Sequence, residues 1–275
     1  MRPLRVSLSN AWEVIELKCT EIGPDTSLLG VLGENIKYTL SPKIHNFAFE
    51  RLGIRAVYVT FDVSRDRFQR AFPGLLEFTY GLNVTIPYKE AVMPFLDSLS
   101  PEAEKVGAVN TIHGGRGYNT DYLAVKGLVS GVERGTALIL GAGGAAKAAS
   151  FALGELGFEI IVQNRTETRG MELVSRLREE GISASFSRAC QGEYNVVVNT
   201  IPEPEAVPLE CVRGKMAVEF VYKEETPFLR RARELGMRVV DGLQILVRQA
   251  MEAEKIWFGK SLNDIEVVNF LNAGK

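Results

Sequence analysis

The sequence predicts an α/β protein built from two units, and two observations support this prediction. In the N-terminal third of the chain, short apolar runs alternate with segments of helical periodicity, as in a parallel sheet covered by helices. From residue 136 the alternation begins again with an apolar strand, a glycine-rich turn and a helix of small residues. A chain of 275 residues is long enough for both units to form their own cores.

Composition excludes several classes of protein. Hydrophobic residues make up 46% and charged residues 24%, which is typical of a globular chain. The formal net charge of -2 favours neither nucleic acid nor an anionic membrane as a partner, and no apolar run approaches the roughly 18 residues of a membrane span. Three widely spaced cysteines argue against a disulfide framework and fit a reducing cytoplasm. With two histidines and no close cysteine pair, we expect no metal site.

The first unit contains a lysine where its third strand ends. Before this lysine, the sequence predicts strands at 28–33 and 57–61 and helices at 41–52 and 68–76. Ser41 is the predicted N-cap of the first helix. The apolar side chains of Val84 and Ile86 then alternate with polar ones, Pro87 ends the strand, and the spacing predicts a helix over 88–96. Lys89 would lie in its first turn, at the mouth of the sheet, where a cation can reach a bound small molecule. The alternative is a solvated lysine without function.

A second polar cluster follows at residues 108–121. The pattern predicts a strand at 108–112 containing Asn110, a glycine turn, and a return strand at 118–121. Thr120 or Asp121 would then cap the next helix. Helix capping is therefore the structural alternative to a functional role for Asp121.

Residues 136–163 read as strand, glycine turn, helix and strand, the context that a dinucleotide-binding turn requires. Gly141 permits the tight turn, Gly143 lets the backbone approach a pyrophosphate, and the helix N-terminus offers N–H donors to the phosphates. The turn residues assigned to the cofactor are Gly141, Ala142, Gly143, Gly144 and Ala145.

The strand after this helix ends in Asn164-Arg165-Thr166 and lacks the acidic residue that binds the ribose of NAD. A guanidinium pairs with a 2′-phosphate, so we predict NADP as the cofactor, with Arg165 and Arg169 as the clamp. The alternative is that Arg165 is a solvated loop charge.

The alternation continues to the C-terminus. Strands are predicted at 195–199, 216–220 and 237–240, and Thr200 lies in a loop that could contact the nicotinamide half of the cofactor. Gly242 begins a long helix with an apolar stripe, and Gln249 lies off that stripe, on the edge that could face a cleft. A last helix is predicted at 263–271.

Taken together, these segments resemble the shikimate dehydrogenase family. The matching blocks are Thr39–Ser41-Pro42 with His45-Asn46, Asn83–Lys89, Gly107–Thr111, Asn119–Asp121, the glycine turn with Asn164–Thr166, Asn199–Pro202, and Gly242-Leu243 with Gln249-Ala250. They occur in the family's order and span residues 28–258. Two departures stand out: Thr39 replaces the usual serine, and Tyr38 replaces the usual histidine.

The resemblance implies a two-domain α/β enzyme, with a substrate domain at 1–124 and 242–275 and a Rossmann-type doubly wound NADP-binding domain at 125–241. It implies NADPH-dependent reduction of 3-dehydroshikimate to shikimate, in aromatic amino-acid biosynthesis, by a cytoplasmic monomer or homodimer. Lys89 and Asp121 match the catalytic pair. The positions that match substrate contacts are Thr39, Ser41, Asn83, Thr85, Asn110, Tyr222 and Gln249; those for the cofactor also include Asn164, Thr166, Thr200 and Gly242.

Two alternatives remain at this point. Thr39 keeps a hydroxyl but adds a methyl, which leaves open a quinate/shikimate dehydrogenase with broader substrate and cofactor use. A non-catalytic nucleotide-sensing protein on the same scaffold is the other, although it would be expected to lose Lys89 or Asp121.

Overall fold

The computed structural model describes residues 22–190, 192–222 and 225–273. Within them the chain forms two six-stranded sheets. The strands of the first are β1 (Ser27–Gly33), β2 (Ala56–Asp62), β3 (Gly81–Val84), β4 (Ser98–Leu99), β5 (Thr111–His113) and β6 (Arg116–Tyr118), and its helices are α1 (Ser41–Leu52), α2 (Arg65–Phe78), α3 (Pro101–Val106) and α4 (Thr120–Val129).

The first sheet is mixed, in the order β2-β1-β3-β5-β6-β4. The strands β1, β2 and β3 are parallel, as the strand–helix alternation predicts, and β3, β5 and β6 pair antiparallel. The central strand β1 is buried at Leu29, Val31 and Leu32, so it packs against helices on both faces. Because β1 and β3 are parallel, their carboxyl ends lie at the same edge of the sheet.

The second sheet is wholly parallel, in the order β12-β11-β10-β7-β8-β9. Its strands are β7 (Thr136–Leu140), β8 (Glu159–Gln163), β9 (Ala184–Phe186), β10 (Tyr194–Asn199), β11 (Gly214–Glu219) and β12 (Arg238–Val240), and its helices are α5 (Gly144–Glu155), α6 (Glu167–Glu179) and α7 (Pro227–Glu234). The order reverses between β7 and β10, so a crevice opens at their carboxyl ends. The predicted α/β fold with a doubly wound unit is confirmed.

The chain returns to the first sheet after β12. The helices α8 (Gly242–Phe258) and α9 (Asp264–Ala273) pack against α1 through a shared apolar cluster that includes Ile44, Met251 and Leu271. No helix among the described residues is long and apolar enough to cross a membrane.

The carboxylate of Glu155 joins the two units. It accepts a hydrogen bond from Lys105 of α3 at 2.8 Å and one from Lys126 of α4 at 2.9 Å, and it also bonds the Tyr122 hydroxyl. Partial burial opposes the ionisation of Glu155, but these three partners outweigh it and lower its pKa to about 2.

Three expectations about local structure are wrong. Residues 88–96 form turns and a short 3₁₀ segment at Met93–Phe95 rather than an α-helix. Pro94 explains this, because it lacks an N–H and its ring clashes with a preceding carbonyl. Asn119, rather than Thr120 or Asp121, caps α4 and accepts from the Tyr122 N–H at 3.0 Å, which leaves Asp121 free of a capping role. Residue 40 takes the N-cap position of α1, and Ser41 is its first residue.

The expectation about cysteines is also wrong. Cys190 and Cys211 form a disulfide within the second unit. The sequence spacing gave no sign of it, because the two residues are 21 positions apart and meet only once the loops after β9 and β10 fold against the end of β8. Cys19 and the residues before it lie outside the described part of the chain.

Candidate active site

The carboxyl ends of the two sheets face each other across a cleft. The glycine turn after β7 lies against the segment that carries Lys89, since a Cβ built on Gly144 would be 3.4 Å from the Lys89 Cδ. A second contact, between Lys147 of α5 and Glu90 at 2.7 Å, crosses the same gap. The residues predicted for the two ligands therefore meet in one place.

Lys89 and Asp121 form an ion pair at this cleft. The Lys89 Nζ lies 2.5 Å from the Asp121 Oδ2, and their side chains are 17% and 9% exposed. Such limited exposure weakens screening by water and leaves the ammonium partly accessible. Because the pair is held within the cleft, the reading of Lys89 as a solvated surface charge fails.

Hydrogen bonds to the backbone hold the segments that carry Lys89 and Asp121. The Lys89 carbonyl accepts from the Val109 N–H at 2.7 Å, and the side-chain amide of Asn119 donates to the Ala108 carbonyl at 2.8 Å. Asp121 follows Asn119 by two positions, so the same cap that starts α4 directs its carboxylate toward Lys89.

Five of the residues predicted to contact substrate lie in one hydrogen-bonded cluster. The Thr39 hydroxyl donates to Ser41 at 3.2 Å, and the Asn83 amide donates to the Asn110 carbonyl at 3.2 Å. The side-chain Oε1 of Gln249 accepts from the Thr120 hydroxyl at 3.3 Å. The cluster therefore joins α1, β3, the start of α4 and α8 into one polar surface.

The other two predicted substrate contacts, Thr85 and Tyr222, lie at the rim of this cluster. Thr85 follows β3, and its methyl lies beside Gly33, where a Cβ would be 2.6 Å away. Tyr222 approaches Thr39 from the end of the second sheet; burial raises the pKa of Tyr222, and the nearby Thr39 hydroxyl partly offsets this. Tyr222 follows Glu219, which accepts from the Val221 N–H at 3.0 Å and so holds this loop.

The glycine turn has the shape that a pyrophosphate requires. Gly141 has φ of +114°, and a Cβ there would lie 2.3 Å from the Thr200 hydroxyl. Among the residues that the structure describes, none lies within 4 Å of a Cβ built on Gly143 and no side chain caps the α5 N-terminus, so this end of the helix faces open space. Ala142 and Ala145 complete the turn. At the far end of the site, Gly242 packs against the Val221 carbonyl, 2.3 Å from a built Cβ.

Two exposed arginines follow β8: Arg165 in the loop and Arg169 in the first turn of α6. Neither Arg165 nor Arg169 makes an ion pair or hydrogen bond with any residue described in the structure. Their neighbour Arg188, in contrast, is bonded to the Glu167 carboxylate at 2.8 Å. Asn164 shapes the loop by donating to the Thr166 carbonyl at 2.8 Å. Two exposed guanidinium groups at the carboxyl end of β8 have the chemistry that pairs with a phosphate.

Sequence reasoning missed three residues of the polar cluster, namely Tyr58, Thr111 and Thr120. The Tyr58 hydroxyl donates to the Asn83 Oδ1 at 2.6 Å, and Thr111 accepts from the Asn83 Nδ2 at 3.0 Å. Tyr58 lies in the middle of an apolar strand, where its ring predicts only core packing. Thr120 could have been found, because it stands between the capping residue and Asp121.

The fold and this site define the class of protein: an α/β dehydrogenase with a doubly wound nucleotide-binding unit beside a separate substrate-binding unit. The model of the shikimate dehydrogenase substrate binding domain matches residues 31–112. The chain is 51% identical to a shikimate dehydrogenase of Sulfurisphaera tokodaii, over 93% of this chain and 98% of that protein. A shikimate dehydrogenase (NADP(+)) of Saccharolobus islandicus has the same identity and coverage.

A comparison with solved structures points to the same family. The crystal structure of a shikimate 5-dehydrogenase from Thermus thermophilus in complex with NADP(H) and shikimate matches with a TM-score of 0.81 and 33% identity, covering 91% of this chain and 100% of that one. The chain belongs to the shikimate dehydrogenase family, and the resemblance drawn from its motifs is confirmed.

Proposed function

We propose that this protein catalyses the reversible NADPH-dependent reduction of 3-dehydroshikimate to shikimate, as an oxidoreductase acting on a CH–OH group. The observation that carries the proposal is the Lys89–Asp121 pair at 2.5 Å, placed beside the glycine turn at Gly144. Relatives named shikimate dehydrogenase (NADP(+)) support the substrate and the cofactor.

Lys89 supplies the proton in this scheme. Negative charge grows on the ketone oxygen as the carbonyl carbon is reduced, and a positioned cation that can donate a proton stabilises that charge. The Lys89 ammonium donates its proton to this oxygen; in the direction of oxidation, the neutral amine accepts the proton of the substrate hydroxyl. Asp121 holds the Lys89 Nζ in place, and Thr39, Ser41 and the amides orient the ring hydroxyls and the carboxylate.

NADPH, when bound, supplies the hydride. The residues that fit it are the turn at 141–145, with its open space at Gly143, and the unpaired Arg165 and Arg169. A carboxylate would repel the 2′-phosphate, and none follows β8 directly.

We assign residues 1–124 and 242–275 to the substrate domain and 125–241 to the cofactor domain. The packing of α8 and α9 on α1 supports this division. A monomer or homodimer in the cytoplasm is our expectation.

Initial rates of the wild-type protein with shikimate or quinate, each with NADP+ or NAD+, test the proposal. We expect shikimate with NADP+ to give the highest kcat/KM. Comparable rates on quinate would favour the broader quinate/shikimate dehydrogenase, for which the added methyl of Thr39 is the structural reason. Binding of NADPH without turnover of either acid would refute the enzymatic function.

A further inference from the structure

A line of hydrogen bonds runs beneath the substrate-facing side chains, and Tyr58 lies at its centre. Thr39 donates to Ser41 at 3.2 Å, and the Ser41 hydroxyl lies close enough to the Tyr58 hydroxyl to act on its pKa, which it lowers. Tyr58 then donates to the Asn83 Oδ1 at 2.6 Å. Its hydroxyl thus connects two side chains from different elements, α1 and β3, that the proposed function assigns to substrate.

The orientation of the Asn83 amide follows from its neighbours. Its Nδ2 donates to the Asn110 carbonyl, which can only accept, at 3.2 Å, and to the Thr111 hydroxyl at 3.0 Å. Both amide hydrogens are thereby used, so Oδ1 is the only polar atom of Asn83 left for another partner. Tyr58 occupies one of its lone pairs, and the second remains for a donor such as a ring hydroxyl.

The Asn110 amide is fixed with the opposite polarity. Its Oδ1 accepts from the Thr120 N–H, which can only donate, at 2.7 Å. No acceptor among the described residues bonds its Nδ2. Asn83 therefore offers an acceptor and Asn110 a donor, and each polarity is set by a group that the ligand does not touch.

Tyr58 is itself held rigidly. Its ring stacks on His45 at 4.3 Å, and His45 bonds the buried Glu254 at 3.0 Å. Asn46 pairs with both backbone groups of Tyr58 at 2.9 Å. Burial, followed by the charge of Glu254, raises the pKa of Tyr58 well above its ordinary value, so the hydroxyl keeps its proton and remains a donor.

We infer that Tyr58 is a positioning residue for substrate, which fixes the side-chain oxygen of Asn83 and the Ser41 hydroxyl in the orientations that receive shikimate. It is only 1% exposed, so it acts through these two side chains and not by contact with the ligand. The inference rests on the proposed function, because it assumes that Asn83 and Ser41 face the substrate.

The test compares Tyr58→Phe with Tyr80→Phe. The control also loses one tyrosine hydroxyl bond in the same unit, from Tyr80 to the Trp257 carbonyl at 3.0 Å, which lies outside the polar cluster. We expect Tyr58→Phe to raise the shikimate KM and the dissociation constant measured by calorimetry about tenfold, the size expected when one bond that fixes a binding group is lost. The NADPH dissociation constant should stay within about twofold, and Tyr80→Phe should leave all three unchanged.

A double-mutant cycle separates positioning from general loosening. In an Asn83→Ala background, Tyr58→Phe should raise the shikimate dissociation constant by much less than tenfold, because its main target is gone. Equal penalties in both backgrounds, or equal effects of Tyr58→Phe and Tyr80→Phe, would overturn the inference while leaving the proposed function intact. A wild-type protein that neither binds nor turns over shikimate would overturn both.

Discussion

Removing the two exposed guanidinium groups that follow β8 should abolish the preference for NADP+ over NAD+. In the double variant Arg165→Ala/Arg169→Ala, the 2′-phosphate loses two charge-assisted hydrogen bonds. Hydrogen bonds to charged groups contribute about 1.5–3 kcal/mol each, and both arginines are exposed, so we take the lower end, about 3 kcal/mol in total. This corresponds to a fall of about 10²-fold in the ratio of kcat/KM for the two cofactors.

The assay measures kcat/KM for NADP+ and NAD+ at saturating shikimate and fixed ionic strength, because exposed charges are screened by salt. The matched control is Arg188→Ala. It removes the same charge from the same edge of the sheet, but its guanidinium is already bonded to Glu167. A double variant that kept the wild-type ratio, or a control that lost as much, would refute the assignment of the clamp.

Three further predictions concern the second unit. Cys190→Ala/Cys211→Ala should lower the free energy of unfolding by about 3 kcal/mol in denaturant titrations, the chain-entropy value for a loop of this length. Glu155→Gln should lower the Tm at pH 7, and the deficit should shrink as pH falls from about 4.5 towards 2, because the ionisation that stabilises the fold is lost through that window. Gly141→Ala should weaken NADPH binding at least tenfold in a fluorescence titration, whereas Gly131→Ala, also at positive φ but in open space, should not.

A different outcome would contradict each of these three predictions. For the disulfide, a reductant should destabilise the wild type and leave the double variant unchanged; equal responses would contradict the prediction. A Tm deficit that stayed constant from pH 7 to pH 2 would show that Glu155 does not act through its charge. Equal losses in both glycine variants would show that backbone strain, and not the close approach to Thr200, limits binding.

Much of the fold could be predicted because the strands of the second sheet are continuous apolar runs. The predicted strands at 136–140 and 159–163 match β7 and β8, since a strand buried on both faces allows little else. The edge strands β4, with two residues, and β9, with three, gave no such signal, because neither is a continuous apolar run. The helix predicted at 88–96 is wrong for a different reason. Its apolar residues have helical periodicity, but Pro94 prevents a continuous α-helix.

The site divides in the same way. The residues that we propose to contact ligands stand at strand ends and turns, where polar side chains are conspicuous, so Lys89, Asp121 and Asn83 could be singled out. Residues that act from behind them could not. Tyr58 lies in an apolar run and Glu254 among other charged residues of a helix, and both acquire their roles only through contacts between distant elements. The Cys190–Cys211 disulfide could not be predicted for the same reason, because the two cysteines meet only when distant segments pack together.

The central claim is that the Lys89 ammonium, held by Asp121, meets the negative charge on the substrate oxygen as it forms. The most direct measurement is the single-turnover rate of NADP+ reduction by saturating shikimate in Lys89→Met, alongside the shikimate dissociation constant. We predict a fall in rate of at least about 10²-fold, the usual contribution of a positioned acid–base group, with the dissociation constant changed only a few fold. A variant that binds shikimate and transfers hydride at a near-normal rate would contradict the account.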